Sequence, residues 1–451
     1  MSVPADLSGV IDAEMCIGCG ACVFADPSLD LILDPQSLVY RPSHAGNAAA
    51  AAVCPAVEVD FAELHRRRFP GVEVGPYGVV EAVHLAQSVD PDRNRRASSG
   101  GLIKELLIEL LGREDVDGAI ALSHVGGLDF QPRMIRTAEE VDTLPGSIYH
   151  ALAQPRTIEL LRENPGRFVV VAIPCQLEGI WKYIDAHEPR LAKRIHSTIG
   201  LICGWQYSHH ALRAICDYEG VDPERIVDLS YRGDGPVGKL RLTLDDGSEV
   251  TASRRTHFGY QVAFDRHFNT PRCHLCVNHS NYLADLVVGD AWLPSTVFTR
   301  TGISLVISRT PRARALVEGL AADGRIVSTE VSEEEIRESQ KDRVVFGDFA
   351  YAYAEYLDEL GIHRPRMSGP NRERATPASR GEVEHFHRER MRKRELQRAG
   401  RYRRLRWRKA TVELRSFLAR YWRWFAVRIL RIKSLTGERE ELPREVMKRF
   451  R

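Results

Sequence analysis

Cys16-Ile17-Gly18-Cys19-Gly20-Ala21-Cys22, followed downstream by Cys54-Pro55, is the stretch from which the rest of the chain is read. Three thiols at two-residue gaps can wrap one face of a cubane cluster. Gly18 and Gly20 permit a tight backbone path, whose amides can donate to cluster sulfurs. A remote Cys-Pro is a usual source of the fourth ligand. The competing reading is structural zinc, but zinc prefers paired C-x2-C units that close a tetrahedron. The spacing therefore points to a [4Fe–4S] cluster on Cys16, Cys19, Cys22 and Cys54.

Residues 1–75 read as a loop-rich, ferredoxin-like segment around these cysteines. From about Tyr77 strands and helices alternate. Val79–Ala86 and Gly118–Leu122 read as strands. Leu102, Ile103, Leu106, Leu107, Leu110 and Leu111 share one face of a helix. Arg167–Ile173 is a continuous apolar strand of the kind covered on both faces, and Leu177–Trp181 is helical. Leu240–Leu244 and Ser248–Thr251, joined through Asp245-Asp246-Gly247, form a hairpin pattern. Ile303–Ser308 is a further strand, and the Pro/Ser/Gly/Arg-rich stretch Met367–Arg380 is a linker pattern. The expected fold is α+β: a ferredoxin-like segment (1–75), a mixed α/β core in two parts (76–235 and 236–366), then a linker with a basic helical tail (367–451).

The chain has 451 residues and is 43% hydrophobic, enough for two or three domains with a sizeable core. It shows neither a run long enough to span a membrane nor a secretory signal pattern. The expected location is cytoplasmic, with a peripheral position at the inner membrane face as an option. The nine cysteines are then expected to be reduced, bound to metal or catalytic rather than bridged. The net charge of +2 conceals two different bodies. Asn371–Arg451 carries 26 basic and 10 acidic side chains (net +16), and the part before it 37 and 51 (net −14). Within the basic part, Leu414, Leu418, Tyr421, Phe425, Ile429 and Ile432 form one stripe of a helix over Thr411–Lys433, with Trp422 and Trp424 beside it. An anionic membrane surface, an acidic partner protein, or the chain's own acidic body would each fit it. Nucleic acid fits less well, since no base-reading motif is present.

Four further cysteines stand apart: Cys175 and Cys203 singly, Cys273 and Cys276 as a C-x2-C pair. Strand ends of α/β sheets gather ligands at one edge, so these four thiols are candidates for a second cluster. The alternative is two core cysteines plus a zinc or redox pair. Cys216, within a plain helical pattern, reads as core. Ala97-Ser98-Ser99-Gly100-Gly101 enters a helix N-terminus and suits a phosphate, although Ser also serves there as an ordinary cap. Pro145-Gly146-Ser147-Ile148-Tyr149 is a turn with a hydroxyl and an aromatic ring. No G-x-G-x-x-G follows a strand, so a Rossmann nicotinamide site has no support. Asp285, Asp290 and His279 lie near Cys276 but read as solvated or core groups, which leaves no proton donor nominated.

Taken together, these motifs resemble the family of beta subunits of deazaflavin (coenzyme F420) hydrogenases and dehydrogenases, a family that also includes hydroxymethyl-chlorophyll and divinyl-chlorophyllide reductases. The resemblance covers about residues 10–365. It rests on the Cys16/Cys19/Cys22/Cys54 set, Ser99-Gly100-Gly101, Gly146-Ser147-Ile148-Tyr149, Pro174-Cys175-Gln176, Gly200-Leu201-Ile202-Cys203-Gly204, Cys273-x2-Cys276, Leu286–Trp292 and Gly302–Ile307. It implies two [4Fe–4S] clusters, the second on Cys175, Cys203, Cys273 and Cys276. It also implies FAD held by Ser98, Ser99, Gly100, Gly101, Ser147, Tyr149 and Gln176, with ferredoxin or a deazaflavin as redox partner. One departure is visible: Ile148 stands where the family's turn usually carries Lys, a positive charge for a phosphate or reduced flavin. Three functions follow in order: a reductase acting on an organic substrate that the sequence does not name, an electron-transfer subunit that feeds a partner enzyme, and a zinc-bearing structural or nucleic-acid-binding protein.

Overall fold

Apolar strands with both faces covered build the centre of the molecule. The computed structural model describes residues 4–233, 238–253, 267–296, 301–372 and 377–405. Its main sheet comprises β1 (Ala82–Ser88), β2 (Gly118–Gly126), β3 (Asp129–Ile135), β4 (Phe168–Ala172), β5 (Ile195–Leu201), β6 (Leu286–Asp290), β7 (Ser304–Ser308) and β8 (Ile326–Val331). They lie side by side in the order β8-β1-β7-β6-β5-β4-β2-β3. The four adjacent strands β2, β4, β5 and β6 run parallel. Antiparallel neighbours close the sheet on either side.

The residues of β4 show why this strand is apolar throughout. Phe168 and Val170 enter one hydrophobic cluster and Val169 enters another, on the opposite face. Helix Pro174–His187 covers the first face through Leu177, Ile180, Trp181 and Ile184. Helix Leu102–Leu111 covers the second through Leu102, Leu106, Leu107 and Leu110. Both helices were expected, the second from its periodicity, although the first is longer than the five residues expected. The predicted hairpin is present as strands Lys239–Leu244 and Glu249–Ser253, which Ile226–Ser230 extends into a separate three-stranded sheet.

In the N-terminal segment the loop bearing Cys16 and Cys19 leads into helix Ala21–Ala25, which carries Cys22. A short hairpin, Leu31–Leu33 with Tyr40–Pro42, follows. Helix Ala48–Val53, capped by the Asn47 side chain, then delivers Cys54 at its C-terminal end.

The linker and tail differ from expectation. Arg366–Met367 pairs in parallel with Glu58–Val59, and Ser379 caps helix Arg380–Arg398 in a capping box. This helix lies on the body. Val383 is buried, and Phe386 packs against Phe349 and Tyr353 with ring centroids 4.7 and 5.2 Å apart. Arg394 and Arg398 both pair with Glu14, at 2.5 and 2.6 Å. Beyond the helix Tyr402 and Leu405 are buried, and Tyr402 hydrogen-bonds His210 at 2.8 Å. The composition of this stretch is so basic that its few apolar anchors are easily missed, and its acidic partner is more than 360 residues away in sequence. The predicted amphipathic helix Thr411–Lys433 lies outside the described residues. No described helix is long and apolar enough to cross a membrane.

Candidate functional site

Gly18 and Gly20 have φ of +70° and +79°, the left-handed region that L side chains avoid. Gly18 also lies against the Leu152 carbonyl and Gly20 against Pro155, where a Cβ would stand 2.3 and 2.5 Å from the nearest atom. The loop can follow this path only with glycine at both points. It turns the Gly18 amide toward the Cys16 sulfur at 3.4 Å. Cys19, Cys22 and Cys54 are buried and Cys16 is half-buried. Burial, with a smaller contribution from the neighbouring Cys54, pushes the Cys16 thiol up to about 12. Cys22 is raised well above the ordinary thiol value by burial, then by Cys54, Cys19 and Cys16. Cys16, Cys19 and Cys22, each raised by its cysteine neighbours, suit a cation that would take them as thiolates with Cys54.

The second set forms at the carboxyl ends of the parallel strands. Cys175 sits in the first turn after β4, and Cys203 follows β5 by two residues. Cys273 and Cys276 lie in and just after the short 3-10 turn Pro271–Leu275. Burial raises the Cys175 thiol, and Cys203, Glu178, Cys273 and Cys276 raise it further. The Cys273 sulfur accepts from the Gln206 amide at 3.2 Å and lies 3.1 Å from the Thr270 hydroxyl. Cys203, Cys273 and Cys276 are thus near enough to Cys175 to act on it electrostatically. Cys216 is excluded from both sets, buried among Leu240, Leu242 and Ile215.

Among the described residues, no three sulfurs of either set lie within 4.8 Å of one another. Thiolates on a tetrahedral zinc would be about 3.8 Å apart, from a Zn–S bond of about 2.3 Å.

A cavity of about 270 Å³ opens beside Cys203 at the same sheet edge. Ser98, Ser99, Gly101, Ser147, Ile148 and Tyr149 line it. The two serine hydroxyls of the loop are already engaged: Ser98 Oγ accepts from the Ser147 amide at 2.8 Å, and Ser99 Oγ donates to the Ile303 carbonyl at 2.9 Å. Besides the Ser98 hydroxyl proton, an anion there meets the N-terminus of helix Leu102–Leu111, which has no side-chain cap. Leu102, Ile103 and Lys104 of its first turn line the cavity, with Arg96 beside them. Free amides, a positive helix end and two cationic side chains make a fitting phosphate cradle.

Two expected contacts lie elsewhere. Gln176 does not line the cavity; its amide donates to the Ile17 carbonyl at 3.2 Å, bracing the first cysteine loop. Gly100 is buried behind the loop, where a Cβ would meet the Ala86 carbonyl at 2.6 Å and the Ser304 amide at 2.9 Å. Gly100→Ala is therefore expected to destabilise the fold by about 1–3 kcal/mol, measured by chemical denaturation, whether or not flavin is present. An unchanged midpoint would show that the loop has room to retreat.

Sequence reading missed Arg232. It is buried, pairs with Asp290 at 2.8 Å, and lines the cavity with Tyr149 and Trp205. A single Arg after a strand carries no motif, and only the fold brings it to the cavity. Of the three polar groups near Cys276, Asp290 thus reaches the cavity. Asp285 instead accepts from the Thr198 amide and hydroxyl at 2.7 and 2.8 Å, and His279 bonds the Cys203 carbonyl at 2.9 Å.

Comparison with known proteins identifies the family. Two family models match, both describing the beta subunit of coenzyme F420 hydrogenase/dehydrogenase: its N-terminal part over residues 83–159 and its C-terminal part over residues 166–334. The F component of the F(420)H(2) dehydrogenase of Methanosarcina mazei is 24% identical over 326 residues, covering 67% of this chain and 83% of that protein. The beta subunit of the coenzyme F420 hydrogenase of Methanothermobacter thermautotrophicus is 26% identical over 235 residues, 50% of this chain and 78% of that one. A chain of the F420-reducing [NiFe] hydrogenase complex from Methanosarcina barkeri shares the fold, with a TM-score of 0.51 at 20% identity over 66% of this chain and 99% of that one. With more than half of its length matched in the expected order, this chain belongs to the family of coenzyme F420 hydrogenase/dehydrogenase beta subunits.

Proposed function

We propose that this chain is an iron–sulfur flavoprotein of an oxidoreductase system. Cys16/Cys19/Cys22/Cys54 and Cys175/Cys203/Cys273/Cys276 would each hold a [4Fe–4S] cluster and the cavity would hold FAD, which together would supply electron transfer. The observation that carries this reading is the cavity itself: Cys203 of the second set forms one wall and the helix N-terminus after Gly101 another. FAD supplies the exchange between one-electron and two-electron chemistry. The chain's own groups would hold it. The first-turn amides, Arg96 and Lys104 face a pyrophosphate, and Tyr149 and Trp205 offer aromatic walls. Arg232, oriented by Asp290, offers the cation that Ile148 lacks. The outer redox partner is a deazaflavin or ferredoxin, and the electrons go to an organic substrate.

A second reading has support of its own. The relatives are named as subunits of dehydrogenases and hydrogenases, which favours a chain that hands electrons to a partner enzyme. Anaerobic purification with iron, sulfide, zinc and flavin analysis tests the common part. About eight iron atoms and one FAD per chain are expected; a colourless zinc protein would end both readings. Arg232→Met is expected to weaken FAD binding about 10- to 100-fold, the loss of a hydrogen bond to a charged group. Fluorescence titration of the flavin-stripped protein measures it, and unchanged affinity would remove Arg232 from the site.

A further inference from the structure

Helix Pro174–His187 touches both cysteine sets. Cys175 lies in its first turn. One turn later, about 6 Å along the axis, Gly179 faces Cys19, whose sulfur would stand 2.6 Å from an added Cβ. Between these two positions the helix carries Glu178, which is fully buried. The Glu178 carboxylate accepts from the Asn278 side chain at 2.8 Å and faces the Arg272 guanidinium at 3.4 Å. Arg272 is also buried, at 2% exposure, and immediately precedes Cys273. One more turn along, the mostly buried Lys182 donates to the carbonyl of Cys54 at 3.3 Å and that of Glu58 at 2.5 Å.

A buried ion pair is weak ground for stability, since apolar replacements of equal volume are often as stable. Its position says more. Glu178 lies three residues after Cys175 and next to Gly179, which packs on Cys19, and its partner Arg272 adjoins Cys273. In a medium of low dielectric constant one charge acts on both sites at once.

We propose that Glu178, held in place by Arg272 and Asn278, is a positioning residue shared by the two cysteine sites, whose negative charge lowers the reduction potential of both. This rests on the two-cluster reading above. Each cluster gains one electron, and so one negative charge, on reduction, and a nearby carboxylate opposes that gain. Lys182 acts in the opposite sense and on the first site alone, because it reaches the Cys54 carbonyl and not the second set.

The test is a redox titration of the anaerobically purified, cluster-loaded protein with dithionite, following each cluster by electron paramagnetic resonance. Wild-type protein with zinc, or without two clusters, fails the two-cluster reading before any variant is considered. With two clusters present, Glu178→Gln is expected to raise both potentials at unchanged iron content. Unchanged potentials, or a shift at one site only, would overturn the shared role. If Glu178→Gln does not fold, Glu178→Met decides by the same titration: a rise at both sites supports the assignment, and a shift at one site only, or none, overturns it.

Discussion

Gly179→Ala is expected to remove about four iron atoms per chain, the content of one cubane, from the N-terminal site while the second site keeps its own. The added methyl would stand 2.6 Å from the Cys19 sulfur and 2.8 Å from its Cβ, well inside van der Waals contact. Neither side has an easy retreat. The helix is fixed by Leu177, Ile180 and Ile184, each at most 1% exposed. The Cys19 loop is fixed by Gly18 and Gly20, whose backbones press on Leu152 and Pro155. The weaker of the two is the loop, so the sulfur moves and the ligand geometry is lost. Iron and sulfide analysis beside a circular dichroism spectrum measures this. Full iron in a folded variant would show that Cys19 is not a ligand.

The difference between what could and could not be read in the sequence lies in how local each feature is. Cys16, Cys19 and Cys22 need only a seven-residue loop and two glycines to converge, so their spacing carries the chemistry. Cys175 and Cys203 converge because β4 and β5 are neighbours in the sheet, and Cys273 and Cys276 arrive from beyond the three-stranded sheet. That meeting depends on topology, which spacing leaves open and the family resemblance supplied. The Ser-Gly-Gly stretch was legible as a feature of the cavity, yet its side chains serve the fold. Ser99 and Gly100 tie the loop to the β7 edge through Ile303 and Ser304. Gln176, next to a cysteine of the second set, bonds the loop of the first because helical geometry turns adjacent residues about 100° apart. Glu178, Gly179 and Arg232 belong to no motif; each matters through one tertiary neighbour.

Truncation distinguishes the docked part of the basic tail from the rest. A chain ending at Pro370 loses Val383, Phe386, Tyr402 and Leu405. Each fully buried apolar side chain contributes roughly 1.5–3 kcal/mol, so the loss is on the order of 5 kcal/mol or more, comparable with the stability of a whole domain. The damage falls near the first cysteine set, since Val383 and Phe386 pack in the cluster that contains Cys22, Cys54 and Tyr353. The truncated chain is therefore expected to unfold at a clearly lower temperature and to lose iron from that site. A 1–370 chain with full iron and an unchanged unfolding midpoint would show that helix Arg380–Arg398 is dispensable. Ending the chain at Leu405 instead keeps every one of these contacts, and both clusters and the flavin are expected to stay. The part removed holds 14 basic and 5 acidic residues, whereas Arg380, Arg394 and Arg398 are already matched by Glu359, Glu384 and Glu14 of the chain itself. The docking role proposed for the tail, toward an anionic membrane surface or an acidic partner, thus narrows to the residues after Leu405. At about 1 kcal/mol per basic residue near an anionic surface, the full chain should sediment with anionic vesicles at low salt, and the chain ending at Leu405 should not. Equal sedimentation of the two would remove the membrane from the tail's role.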